Sequence, residues 1–509
     1  MSPRRSRASR WGAPLQVPVA AASAPESAPL YTQVYRQVRE HILSGALRPG
    51  ARLPSARTLA SDLGVSRNTV EAAFLQLGAE GFITRRVGAG TIVALSVSET
   101  APFGRGRSPG RTTRSAPSAA PLPGRLSARG RLIADLGQTE MVTDHPAGPC
   151  STDVAGFPTR TWNRLLARRA RRSGTAPFQA ADQYGLLALR ETIADHVRLT
   201  RGVRCDTRQV VVVSSTQQAL DLSARLLLDP GGLALVEEPG YPSARAALLA
   251  AGAVVRGVPV GEGGLVAEAL TTHPGARLLY VTPSHQFPLG VTMNLSRRLA
   301  VLRWAASADA WVIEDDYDSE FRYDGRPIAS LQGLDRGGRV LYVGTCNKVL
   351  FPGLRLGYLI VPEGLADAFA AGRRIGDGFS PPLTQAVLAD FMAGGHFAAY
   401  LRQARSHYAE CRDALVRGIE HHWRPVATVG PSDTGLHLVA HLPDGSHDAT
   451  VTQSAPATGL GVAPLSRYYT EPARARGLLL SYGATTPERI ARDVRALAPL
   501  LPWGPRRSR

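Results

Sequence analysis

Past about residue 140, short apolar runs alternate with stretches of helical periodicity, and this alternation constrains the fold more than any other feature of the chain. The runs include Gln209–Val213, Leu233–Val236, Leu278–Val281, Trp311–Ile313 and Val340–Val343. Strands separated by helices are the order of an α/β fold with a mainly parallel sheet. The full 509 residues exceed one typical core of roughly 100–200 residues, so at least two domains are expected.

Two stretches interrupt the pattern. Residues 1–28 are rich in Arg, Ser, Ala and Pro without periodicity and read as a disordered basic tail. Residues 95–140, which contain PFGRGRSPGRTTRSAPSAAPLPGR, read as an extended linker. They leave a small module at 29–94 and a large one at 141–505. Charge is just as uneven: residues 1–130 hold 18 Arg against six acidic residues, which accounts for 12 of the chain's net +18. Such a block attracts a polyanion, and nucleic acid is the first candidate. Cys150, Cys205, Cys346 and Cys411 are scattered with no C-x-x-C pair, which points away from zinc or disulfides and fits a reducing cytoplasm. No apolar run reaches the length that spans a bilayer. The Ala/Val stretch near Val17–Ala24 is interrupted by Pro18 and closed by Pro25, so an export signal is not expected.

Within the small module, Val34, Val38 and Ile42 recur at helical spacing from Leu30 to Leu43. Then follows LPSARTLASDLGVSRNTVEAAFLQLGAEGF. Ser55 is placed to cap a helix through Leu63, Gly64 permits a tight turn, and Ser66 is placed to cap a second helix to about Glu80. That second helix opens on Arg67, Asn68 and Thr69, hydrogen-bonding side chains at the end of a helix that meets base edges or phosphate. The alternating segment ITRRVGAGTIVA turns at Gly88-Ala89-Gly90 and reads as a basic β-wing. A winged helix-turn-helix that binds double-stranded DNA is the expectation.

In the large module one residue stands out. Of 59 basic residues, 58 are arginine, and Lys348 is the single lysine. A primary amine can shed its proton and condense with a carbonyl, and a guanidinium cannot. Lys348 follows the run Val340–Val343, at a strand end where ligands of open α/β sheets bind. If the amine holds pyridoxal 5′-phosphate (PLP), further groups are needed, and each has a candidate. A carboxylate must keep the pyridine nitrogen protonated, and Asp315, at the end of AWVIE, fits. Tyr317 is placed to donate to the ring's phenolic oxygen. Ser214-Ser215-Thr216 opens a helix after a strand and offers N–H groups to the phosphate, with Ser215 and Thr216 as named ligands. Thr345 and Arg355 complete that cradle, and Tyr241 in EEPGYP offers a face to the ring.

The small module, from Leu30 to about Val93 with LPSAR, LGVSRNTV and AEGFI, resembles the winged helix-turn-helix of GntR-family bacterial regulators. The resemblance implies DNA contacts from Arg57, Arg67, Thr69 and Gly88. Asn68 is included with them. From about Gly148 to Pro502 the chain resembles fold-type I aminotransferases, and STQQALDL, EEPGY, TPSHQFPLG, EDDYDSEF and GTCNKVLFPGLRLGY, joined to the GntR-like module, look like the MocR-type regulators. What this implies is a domain-swapped homodimer and transcription controlled by PLP or by an amino compound that reacts with it. Departures are informative. Phe287 stands where the enzymes carry Asn, which removes a hydrogen bond to the ring oxygen and counts against transamination. Ser215 replaces a glycine, and Cys346-Asn347 replaces Phe-Ser. Arg476, before GLLLSY, is the expected holder of an effector carboxylate, with Arg474 competing. The alternative function is an aminotransferase with an appended DNA-binding domain.

Overall fold

The computed structural model describes residues 29–86, 90–94, 126–141, 152–172, 174–175, 179, 182–325, 328–455 and 459–502. The tail at 1–28, Gly88 and Cys150 lie outside the described residues, as does the linker from 95 to 125. The chain divides into two compact units, with the break after Pro121.

The first unit comprises helices α1 (Leu30–Leu43), α2 (Ala56–Leu63) and α3 (Arg67–Ala79), then strands β1 (Ile83–Arg86) and β2 (Gly90–Val93). Val34, Val38 and Ile42 are the buried face of α1. They pack with Leu59, Leu63, Val70, Phe74, Leu77, Ile83 and Val93 into one core. Both serines cap as their positions require. Ser55 Oγ accepts from the Thr58 amide at 3.1 Å, and Ser66 Oγ accepts from the Thr69 amide at 3.1 Å. Gly64 closes α2 with φ of 68°, a left-handed conformation that a Cβ disfavours. The two strands pair antiparallel, with Ile83 opposite Val93, and form the wing.

The second unit begins with α4 (Ala128–Met141), α5 (Thr159–Arg172), α6 (Leu187–Arg201), α7 (Thr216–Leu227), α8 (Pro242–Ala251) and α9 (Leu295–Ser307). It continues with α10 (Leu331–Leu334), α11 (Ala366–Gly376), α12 (Pro382–Ala393), α13 (His396–His422), α14 (Asp448–Gln453) and α15 (Pro487–Leu497). Helix α4 corrects the expected extent of the linker: Arg129 Nε donates to the carbonyl of Ala250 in α8 at 2.9 Å, so structure resumes before residue 140.

The main sheet contains β3 (Val210–Val213), β4 (Leu233–Glu238), β5 (Val254–Gly261), β6 (Gly264–Leu265), β7 (Ala276–Val281), β8 (Trp311–Asp316), β9 (Val340–Thr345) and β10 (Gly357–Ile360). Their spatial order is β3-β10-β9-β8-β7-β4-β5-β6. Strands β5, β4, β7, β8 and β9 pair parallel, and β10 runs against both β9 and β3. The ends of β3, β4, β7, β8 and β9 therefore open on the same edge. A smaller sheet of β11 (Thr428–Val429), β12 (His437–Leu442), β13 (Gly461–Pro464) and β14 (Arg476–Ser481) is antiparallel in the order β11-β12-β14-β13. The central strands are buried on both faces: all four residues of β3 and all six of β9 are buried. That is why they read as continuous apolar runs rather than as alternations.

Candidate cofactor site and DNA-reading face

Strand alternation sorts the three acidic residues of β8, all of them buried. Glu314 and Asp316 share one face. Glu314 accepts from the amides of Leu331 at 2.7 Å and Gln332 at 2.8 Å, and so ties down the start of α10. Asp316 accepts from Arg201 Nε at 2.7 Å and from the Tyr342 hydroxyl at 2.5 Å. Asp315 points the other way. Its Oδ2 accepts from the Tyr280 hydroxyl at 2.8 Å, whereas its Oδ1 is buried without a hydrogen-bond partner. Burial raises this carboxyl to about 7, the Tyr280 hydrogen bond opposes the rise, and the charge of Lys348 is close enough to pull it down as well.

Lys348 is half-buried just past the end of β9. The chain around it is clasped from the side. Asn347 Nδ2 donates to the carbonyl of Ser214 at 3.1 Å, and its Oδ1 accepts from the Leu356 amide at 2.8 Å. This clasp draws the turn after β3 to the lysine loop. Thr345 is buried, and its Oγ1 accepts from the Asn347 amide at 3.2 Å. Ser215 is the N-cap of α7, with Oγ accepting from the Gln218 amide at 3.2 Å, and Thr216 is the first residue of that helix. The open N–H groups of the helix start suit an anion. Arg355 is exposed and adopts a left-handed backbone at φ of 53°.

Tyr241, at the start of α8, meets Phe287 edge-on with ring centroids 5.5 Å apart. Phe287 in turn stands edge-on to Tyr317 at 6.2 Å and to Tyr468 at 5.2 Å. Phe287, which has no donor of its own, is thus the centre of an aromatic group. Tyr317 is buried, and its hydroxyl donates to the carbonyl of His285 at 3.0 Å and also lies 3.0 Å from His285 Nδ1. Sequence reasoning missed four neighbours: Tyr280 behind Asp315, Asn347 in the clasp, and the buried pair His285 and Asp318. His437 joins that pair, its ring centroid 4.6 Å from that of His285. Burial, the neighbouring His285 and then Lys348 hold His437 well below the usual imidazole range.

Arg476 is not brought to this group. Alternation along β14 puts it with Leu478 and Leu480, which pack against α13 and α15, while Leu479 faces Phe287 and Tyr317. Its guanidinium instead approaches Asp448 at 3.9 Å. Arg474 lies at the surface, 3.9 Å from Glu471. This register sets Arg476, expected to hold an effector carboxylate, apart from the residues around Lys348, a placement that the spacing in sequence does not reveal.

On the first unit, Arg57, Arg67 and Asn68 are exposed. Thr69 is half-buried, and its hydroxyl lies 2.8 Å from Ser66 Oγ. Arg67 is only loosely held, 3.9 Å from Glu71, which pairs more closely with Arg85 of the wing at 2.6 Å. Sequence reading missed Arg52, whose guanidinium lies beneath Gly90: a Cβ there would come within 3.2 Å of Arg52 Nε. Among the described residues no helix is long and apolar enough to cross a membrane.

Comparison with known proteins agrees with this division. The profile described as "Bacterial regulatory proteins, gntR family" matches residues 30–93, and "Aminotransferase class I and II" matches residues 157–479. The chain is similar to the "Probable rhizopine catabolism regulatory protein MocR" of Rhizobium meliloti, at 39% identity over 92% of this chain and 93% of the relative. It is 33% identical to the "HTH-type pyridoxine biosynthesis transcriptional regulator PdxR" of Corynebacterium glutamicum, over 89% of this chain and 92% of the relative. In structure it is similar to a kynurenine aminotransferase of Pyrococcus horikoshii, with a TM-score of 0.65 and 25% identity, covering 74% of this chain and 95% of that one. The chain belongs to the MocR-type branch of the GntR family: a transcriptional regulator that joins a DNA-binding helix-turn-helix unit to an aminotransferase class I and II fold, whose enzymes depend on PLP.

Proposed function

We propose that Lys348 holds PLP, and that ligand chemistry at this amine sets the affinity of the first unit for its operator. The observation that carries the cofactor reading is Asp315 Oδ1, a buried carboxylate oxygen without a partner on the same sheet edge as the lone lysine. An unpaired buried acceptor is costly, and a pyridinium N–H is the donor that suits it. Its arrival would draw the Asp315 carboxyl back down from about 7. In this reading Tyr241 lies against the ring and Tyr317 donates to its phenolic oxygen. Ser215, Thr216, Thr345 and Arg355 hold the phosphate at the start of α7. When bound, PLP would supply an electrophilic carbon at which the amine of an amino compound can take the place of the lysine amine, and an electron-withdrawing ring beside it.

The protein acts, in this proposal, in the cytoplasm as a homodimer whose two helix-turn-helix units read paired half-sites. Arg67 and Asn68 reach base edges, Arg57 and the Thr69 side chain at the start of α3 take phosphate, and Gly88 adds a further contact. The test is a titration of operator DNA by fluorescence anisotropy at fixed salt, with and without PLP and with a panel of amines. The wild type should change its operator affinity on adding PLP or one of the amines, and Lys348→Ala should show none of that change while still binding DNA. Equal responses from the two proteins would overturn the proposal.

A further inference from the structure

Asp318 and His285 are both almost wholly buried, and neither belongs to the set that would touch the cofactor directly. Both carboxylate oxygens of Asp318 lie 3.0 Å from His285 Nδ1. Tyr317 places its hydroxyl oxygen 3.0 Å from that same nitrogen and 3.0 Å from the His285 carbonyl. An ionised carboxylate only accepts, so the proton on Nδ1 belongs to His285 and serves both Asp318 and the Tyr317 oxygen. The Tyr317 proton then goes to the His285 carbonyl.

Resting on the reading that PLP sits at Lys348, we infer that His285, oriented by Asp318, is a positioning residue that aims the Tyr317 hydroxyl proton at the ring oxygen. While Nδ1–H holds the tyrosine oxygen in place, the hydroxyl can turn its own proton from the His285 carbonyl to a phenolate. Donation into an oxygen also makes that O–H a stronger donor, because hydrogen bonds in a buried chain polarise one another. The arrangement matters here because Phe287 offers the ring oxygen nothing, which leaves Tyr317 to do this alone. Ring contacts flank the imidazole on two sides: His285 stacks on Tyr317 at 5.8 Å and meets His437 at a tilt at 4.6 Å, centroid to centroid. His437 donates from Nε2 to the Pro288 carbonyl at 3.2 Å, so it is anchored independently of Tyr317. The other charged or titratable groups facing the pair include Asp315, Asp316 and Tyr323 near Asp318, and Lys348 near His437.

Donation to the ring oxygen stabilises the form of the lysine adduct that has lost its proton, so weaker donation should raise the pH midpoint of the adduct's visible band. The experiment compares that midpoint in the full-length protein loaded with PLP. His285→Asn keeps an amide N–H near the place of Nδ1 and should keep the wild-type midpoint. His285→Gln, which carries its amide towards the place of Nε2, and His285→Phe should raise it by about one unit, a tenfold change in proton affinity. Asp318→Asn should move it the same way, by less. Tyr317→Phe sets the largest shift to be expected. A common midpoint for wild type, H285N, H285Q and H285F, with Y317F alone displaced, would overturn the inference and leave His285 as packing. A wild type with no visible band at saturating PLP would overturn the cofactor reading and this inference with it.

Discussion

The two units carry their chemistry in opposite ways. In the first, the working side chains lie within a few turns of one another along the chain and point to solvent, and their geometry is set by local devices. Ser66 caps the helix that presents Arg67 and Asn68, and Gly64 makes the turn before it. In the second, the candidate side chains come from the ends of separate strands and, Arg355 apart, are buried or half-buried, so long-range contacts set their geometry. Asn347 reaches across 133 residues to the carbonyl of Ser214 and draws the turn before α7 against the lysine loop. A local site can be damaged without harm to its scaffold, whereas a convergent buried site shares its partners with the core.

Asp315→Asn should sharpen that contrast most. Losing a charge-assisted hydrogen bond to the pyridinium should weaken PLP affinity by roughly 10- to 100-fold, measured by fluorescence titration, with operator affinity in the absence of PLP unchanged. The pH dependence follows from the same carboxyl. Burial raises it from 3.8 to about 7 in the fold, so its contribution to stability is complete below its unfolded value and is lost as pH rises through about 7. A bound pyridinium removes that loss. PLP should therefore raise the melting temperature more at pH 8 than at pH 5.5; a larger rise at the lower pH would count against the pairing.

Arg67→Ala tests the other side. Operator binding should weaken by about 1–3 kcal/mol with relaxed base preference, while PLP loading stays at the wild-type level. Comparable losses in both assays would break the division into separate units. Ser66→Ala should have the smallest effect, about 1 kcal/mol of stability from one lost cap, confined to the first unit. Hydrogen exchange should rise in α3 and stay level in β9.

How far the sequence was readable follows the same contrast. Ser55, Gly64, Ser66 and the Val34-Val38-Ile42 stripe act through neighbours three or four residues away, so their roles follow from capping and periodicity. Lys348 stands out in the sequence for another reason, as the one lysine in a chain that otherwise uses arginine. Asp315 required only strand alternation once β8 was recognised. The placement of Arg476 was not legible because its face depends on register within a sheet built from distant strands. Tyr280, Asn347, His285 and Asp318 each take their place from a partner 32 to 133 residues away. Helix α4 was hidden because the composition of its surroundings resembles that of the preceding linker.

The central claim, that the lone lysine is the cofactor-bearing group of a DNA-binding regulator, is tested most directly by loading the purified protein with PLP, recording its visible spectrum, reducing with borohydride and mapping the peptides. A pH-sensitive band and a single pyridoxyl adduct on Lys348 are expected. No band and no adduct at saturating PLP would contradict it, and would leave the second unit a scaffold for the first.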